Sequence, residues 1–103
     1  MSYRLDFLPQ VEQDVQDAYD WYELQLPGLG EDFLLSTDAA INAIVRKPLL
    51  NVVEYKGVRK LKTKRFPFGV FYVMDKETIT VIAIVHLARH PKTWKSRTLR
   101  KKR

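Results

Sequence analysis

The residues best suited to chemistry are cations at strand-like spacing. Lys60, Lys62 and Lys64 alternate through the segment from Val58 to Arg65. In an extended chain alternate residues share a face, so the three lysines project together while Leu61 and Thr63 project the other way. Arg65 follows at once, and His86, Arg89 and His90 cluster further on. Such groups can hold a phosphate and stabilise the charge that develops on it without a metal. A histidine can move a proton at neutral pH. Metal-free RNA cleavage needs only these parts, with the 2′-hydroxyl of the substrate as nucleophile. His86, Arg89 and His90 are therefore the candidate catalytic residues if the chain is a ribonuclease. The plainer reading is a His86 satisfied at a strand end and a His90 shaped by Pro91.

Past Arg89 the chain adds Lys92, Trp94, Lys95 and Arg97 without a single acid, and it ends Arg100-Lys101-Lys102-Arg103. The candidate surface for nucleic acid or another target comprises Lys60, Lys62, Lys64, Arg65 and Arg89, continued by Lys92, Trp94, Lys95 and Arg97. Trp94 could stack on a base, but its place beyond the last strand favours an anchor for the C-terminal segment. Other templates fail. The four glycines form no phosphate loop. His86 and His90 have no evident third ligand, so no metal and no cofactor is expected. Ser2, Ser36 and Ser96 lack a nucleophile elbow. With no cysteine there is no thiolate chemistry and no disulfide framework.

The elements that must position these residues follow from size and period. A chain of 103 residues is one domain in size, expected over 1–97 with 98–103 as a basic tail. Residues 1–45 carry one basic residue, Arg4, and nine acids, a net −8; the remainder carries 17 basic residues and three acids, a net +14. A basic face attracts RNA, DNA or an acidic peptide. No apolar run reaches the roughly 20 residues of a membrane helix, and Met1-Ser2-Tyr3-Arg4-Leu5-Asp6 does not read as a signal peptide. A cytoplasmic protein with no membrane partner is expected.

Tyr3-Arg4-Leu5-Asp6-Phe7 alternates as a half-buried strand does. Pro9 suits a first helical turn, and Val11, Val15, Ala18, Tyr22 and Leu26 lie along one helical face. Tyr19, Trp21 and Tyr22 on that helix are expected in packing. Pro27-Gly28-Leu29-Gly30 breaks it. A second helix is expected from Glu31-Asp32 to Pro48, antiparallel to the first. Strands follow at 58–65, 70–74 and 78–86, joined by short turns, as an antiparallel meander. The fold class is α+β, in the order β-αα-βββ: a helical hairpin packed on a small antiparallel sheet.

The chain resembles the RelE/ParE superfamily of type II toxin–antitoxin toxins, closest to the ParE-like (plasmid stabilisation) branch. The resemblance rests on Leu5-Asp6-Phe7-Leu8-Pro9 before an acidic helix, Trp21-Tyr22-Glu23, and Pro27-Gly28-Leu29-Gly30 followed by Phe33-Leu34. It continues through Gly57-Val58-Arg59-Lys60 and Arg65-Phe66-Pro67-Phe68 to the stretch from His86 to Trp94. It implies the same helices-on-sheet fold and a toxin neutralised by a cognate antitoxin. For a ParE-like member the implied target is DNA gyrase, which it inhibits without being an enzyme. For a RelE-like member it is mRNA on the ribosome, cleaved without metal. The RelE-type pattern includes an arginine early on the second meander strand and a late tyrosine. Here Gly69, Val70 and Phe71 stand in that strand, and no tyrosine follows Tyr72. The ParE-like reading is therefore preferred over the ribonuclease, with a non-toxic nucleic-acid-binding module as a third reading.

Overall fold

The computed structural model describes residues 3–97. The expected basic tail, 98–103, lies outside them. Strand β1 (Arg4–Phe7) leads into helix α1 (Gln10–Gln25) and helix α2 (Leu29–Arg46). Four strands follow: β2 (Val53–Tyr55), β3 (Val58–Lys62), β4 (Phe68–Asp75) and β5 (Thr78–His86). A one-turn helix, α3 (Lys92–Lys95), closes the described chain. The sheet order is β1-β5-β4-β3-β2. The fold is α+β, with the helical hairpin on one sheet face as expected.

The hairpin owes its tight corner to Glu23. Its carboxylate accepts hydrogen bonds from the Gly28 and Gly30 N–H groups, each at 2.9 Å, and so satisfies two donors at the start of α2. Gly28 turns the chain with φ +94°, and α2 therefore begins at Leu29, two residues before the expected Glu31. At Gly30 a Cβ would lie 2.7 Å from Glu23 Oε1 and 3.0 Å from the Tyr19 carbonyl, so α1 and α2 approach too closely for any side chain there.

The sheet differs from expectation in three details. β1 pairs with β5 in parallel, Arg4 opposite Thr78 through Phe7 opposite Val81, while the other pairs are antiparallel. Strand periodicity carries no direction, so alternation alone could not show this. β2 adds a fifth strand, joined to β3 through Lys56 (φ +40°) and Gly57 (φ +81°). Positive φ at both central residues is the type I′ hairpin turn. Finally, β3 stops at Lys62. The Thr63 hydroxyl donates to the Phe66 carbonyl at 2.8 Å, its N–H bonds the Phe68 carbonyl, and Arg65 takes φ +72°. The chain reverses there, which removes Lys64 from the strand and from the face it was expected to share with Lys60 and Lys62.

Two apolar layers result. Between helices and sheet, Tyr22, Phe33, Phe66 and Phe68 form an aromatic cluster with ring centroids 4.9–6.0 Å apart. Trp21, expected in packing, is instead 58% exposed beside it. On the opposite sheet face Val58, Phe71, Ile82, Ala83 and Val85 are covered by Trp94. No helix among the described residues is long and apolar enough to cross a membrane.

Tyr72 ties β4 to the end of α2. Fully buried, it donates its hydroxyl to the Pro48 carbonyl and accepts from Asn51 Nδ2 at 3.1 Å. Burial raises its pKa above the ordinary 10.0, opposed in part by the Asn51 hydrogen bond and by Arg59. The neutral phenol thus favours the folded state: its contribution is complete below about pH 10 and is lost as pH rises through the raised folded value. Tyr72→Phe is expected to cost about 1–2 kcal/mol at neutral pH, because the Pro48 carbonyl loses its donor. It should also flatten the alkaline fall in stability measured by urea unfolding, and an unchanged alkaline slope would exclude Tyr72 as its source.

Candidate functional site

The cations of the sequence do not converge on one point. Lys60 and Lys62 lie opposite Phe71 and Gly69 in the β3–β4 ladder, on the face that carries Val58 and Trp94. His86 lies opposite Phe68, whose side chain belongs to the helix-side core; the two rings meet at 5.4 Å. Alternation along the strands therefore sets Lys60 and Lys62 on one face of the sheet and His86 on the other. The lysines are also partly engaged. Lys60 Nζ is 3.7 Å from Glu54 Oε2, and Lys62 Nζ donates to the Thr63 carbonyl at 3.2 Å. Lys64 and Arg65 sit in the β3–β4 loop, where Arg65 Nη2 is 3.5 Å from Asp32 Oδ2 on α2.

Both histidines use Nδ1 as an acceptor. The Ala88 N–H donates to His86 Nδ1 at 2.9 Å, and the Lys92 N–H donates to His90 Nδ1 at 3.0 Å. An Nδ1 that accepts leaves the ring proton on Nε2. Nε2 in that tautomer is an N–H, suited to bind an oxygen acceptor and unsuited to take a proton from a hydroxyl.

The C-terminal residues divide into structural and free. Trp94 is 8% exposed and stacks on Phe71, with centroids 4.5 Å apart and planes at 20°. It is the anchor of the segment, and its buried ring is withdrawn from the target-binding set. Lys95 Nζ covers the Tyr55 ring at 4.4 Å. Arg97 is bound on three sides: Nη1 to Asp14 Oδ2 at 2.8 Å, Nη2 to Asp14 Oδ1 at 3.1 Å, and Nη1 to the Ile82 carbonyl at 2.8 Å. Only about a seventh of its side chain is exposed, so it too is a structural residue. Arg89, His90 and Lys92 are exposed, and among the described residues Arg89 and Lys92 make no ion pair.

A feature that the sequence did not announce lies between α1 and the end of β5. A cleft of about 590 Å³ opens there, with Asp17 and Trp21 on the helix side, Tyr22 and Phe68 in its floor, and His86 and Arg89 on the far rim. Helical periodicity marks Ala18 and Tyr22 as inward, but nothing in a single chain pairs α1 with the residues after β5. Among the described residues no three His, Asp or Glu side chains are grouped to hold a metal.

The fold is similar to that of solved structures. The chromosomal ParDE TA system from P. aeruginosa matches with a TM-score of 0.74 and 18% identity, over 82% of this chain and 96% of that one. A mutant E. coli toxin RelE, solved in complex with a peptide of antitoxin RelBc, matches with a TM-score of 0.63 and 16% identity, over 93% and 94%. No curated protein sequence matches significantly. The profile of the family described as ParE toxin of type II toxin-antitoxin system, parDE, matches residues 5–91, and the chain belongs to that family. It is a ParE-like toxin.

The Asp14–Arg97 pair gives the first test of this account. Removing one partner of a largely buried pair strands the other charge, so Asp14→Ala and Arg97→Ala should each lower stability by about 3 kcal/mol. The double variant should lose little more than either alone, since the two side chains act as a unit. Additive losses in urea unfolding would show that they do not.

Proposed function

We propose that this chain is a cytoplasmic toxin that inhibits DNA gyrase by binding it, and that a cognate antitoxin neutralises it. Family membership supports the toxin role, and the ParE-like resemblance supports gyrase as the target. The observation that carries the choice between binding and cleavage is the separation of the cations. Cleavage at a 2′-hydroxyl needs a base and phosphate-binding cations around one scissile group. Lys60 and Lys62 lie on one sheet face and His86 on the other, and both histidines use Nδ1 as a hydrogen-bond acceptor. Surfaces that bind a protein target have no such requirement. The exposed group after β5, Arg89, His90 and Lys92, is the proposed target-binding patch, with Lys60, Lys62, Lys64 and Arg65 as a second basic area.

The reading is tested by induction in a bacterium lacking the antitoxin, following thymidine and methionine incorporation in parallel. Thymidine incorporation is expected to fall first, and the purified chain should block gyrase supercoiling at micromolar concentration. A prior fall in methionine incorporation would overturn the gyrase assignment. The double replacement His86→Gln, His90→Gln should retain toxicity, because glutamine keeps a side-chain donor while losing imidazole proton transfer. Loss of growth inhibition in that variant, with the fold intact by circular dichroism, would return the histidines to a catalytic role.

A further inference from the structure

The loop between α2 and β2 reverses the ordinary placement of side chains. In the run Leu49-Leu50-Asn51-Val52-Val53 the four aliphatic side chains are 45–75% exposed. Asn51, the one polar side chain among them, is the one drawn inward, where its Nδ2 donates to the hydroxyl of buried Tyr72 at 3.1 Å. Surface loops usually do the opposite, since apolar groups gain by leaving water. Together the four side chains offer roughly 400 Å² of apolar surface, the size of patch that marks an interaction site.

The loop is held in this form from inside. The Pro48 carbonyl accepts from the Tyr72 hydroxyl, and Arg59 Nη1 donates to the carbonyls of Asn51 at 2.6 Å and Leu49 at 3.4 Å. The Leu50 N–H donates to the Lys47 carbonyl at 3.2 Å. Tyr72 belongs to β4 and Arg59 to β3, so the sheet itself sets the shape of the loop. An apolar surface fixed before contact loses little conformational entropy on binding, which favours affinity.

The charges around the loop select its partner. Arg46 and Lys47 precede it and Lys56 follows; all three are exposed and make no ion pair among the described residues. The one acid in residues 46–56, Glu54, has Oε2 3.7 Å from Lys60 Nζ. The rim is therefore cationic. A second copy would set the same cations against one another across a two-fold axis. The sequence after Arg97 carries Arg100, Lys101, Lys102 and Arg103, which such a rim repels. Met1 and Ser2 join the chain before β1, on the opposite edge of the sheet. That edge is four strand spacings from β2, about 19 Å, and two residues span only about 7 Å. The complementary partner is a protein surface with an apolar centre and a rim of carboxylates.

We infer that loop 49–53 is the apolar anchor by which the toxin holds its target, docking on an acid-rimmed apolar patch of gyrase. A toxin that acts by binding alone needs buried apolar contact, because exposed cations such as Arg89 and Lys92 add little affinity by themselves. Leu50 and Val52, the two most exposed side chains of the loop, enter the patch, and Arg46 and Lys47 meet its carboxylates. The inference rests on the proposed inhibition of gyrase and names the surface and the chemistry of that contact.

The experiment uses the full chain, gyrase holoenzyme with relaxed plasmid, and the antitoxin that neutralises the toxin on co-expression. Inhibition of supercoiling is titrated, and antitoxin affinity is measured by calorimetry. The double replacement Leu50→Ser, Val52→Ser alters two exposed side chains, so the variant should keep its urea midpoint. It should need about tenfold or more protein for half inhibition, as loss of an apolar anchor does. Its antitoxin affinity should stay within about twofold of the unmodified chain. Lys47→Glu should raise the half-inhibiting concentration about threefold, a difference that added salt shrinks. Leu35→Ser, a similar change at an exposed site on α2, should leave both readouts within about twofold. Unchanged inhibition by the double variant would overturn the anchor while leaving gyrase as the target. Unchanged inhibition with weakened antitoxin binding would give the loop to the antitoxin, and a dimer of the unmodified chain abolished in the variant would give it to self-association; either overturns the inference. Lys47→Glu without effect would overturn the acid-rimmed patch. An unmodified chain that leaves supercoiling untouched would remove the gyrase reading, and this contact with it.

Discussion

The contact on which the rest depends joins two residues 83 positions apart. Asp14 on α1 holds Arg97 through two hydrogen bonds, and together they bind the Ile82 carbonyl and the Ile84 N–H. An ion pair in this position does three jobs at once. It caps the part of β5 that β1 leaves uncovered, it clamps α1 to the sheet, and it fixes the end of the segment that carries Trp94. Buried pairs gain little net stability over apolar packing, but they constrain geometry because each misplacement strands a charge. Here the constrained geometry is the whole C-terminal strap.

That strap decides which faces of the sheet remain available. One face is under the helical hairpin. The other would be a bare apolar surface of Phe71, Ile82, Ala83 and Val85, were it not for Trp94 stacked on Phe71 and Lys95 over Tyr55. Burying a tryptophan there stabilises the fold by several kcal/mol in order of magnitude. It also narrows the exposed basic area on that face to the neighbourhood of Lys60 and Lys62. The broad lysine-lined sheet face suggested by the alternation in β3 is thus smaller in fact, and its three lysines are not equivalent.

Much of the architecture is legible in the chain, and the limits have physical causes. β1, both helices and the last two strands declare themselves through period 2 or 3.6, since each buries one face or both against the core. β2 has three residues and offers no period to read; its only advance sign is the Lys56-Gly57 turn. α3 has four residues, too few for a helical period to show. The end of β3 depends on the Thr63 hydroxyl bonding two carbonyls across a loop, a local competition that alternation of residue types does not register. For the site, residue types identified the cationic stretches, but which cations share a face depends on where each strand stops and which way it pairs. The cleft was hidden for the same reason: α1 and the end of β5 meet only through long-range packing.

The asymmetry of charge along the chain takes its meaning from this arrangement. The acidic N-terminal part becomes β1 and the helical hairpin, and the basic stretch that follows becomes, as far as Arg97, the other four strands and the strap. The two signs meet at the Asp14–Arg97 clamp, where they cancel, and again across the cleft, where Asp17 and Arg89 stand on opposite rims without pairing each other. A partner entering there meets a field that changes sign across one small opening. Such a field gives little net attraction at a distance, but at contact it fixes which way round a segment lies, since reversal sets like charges together. That restriction falls beside the exposed group of Arg89, His90 and Lys92.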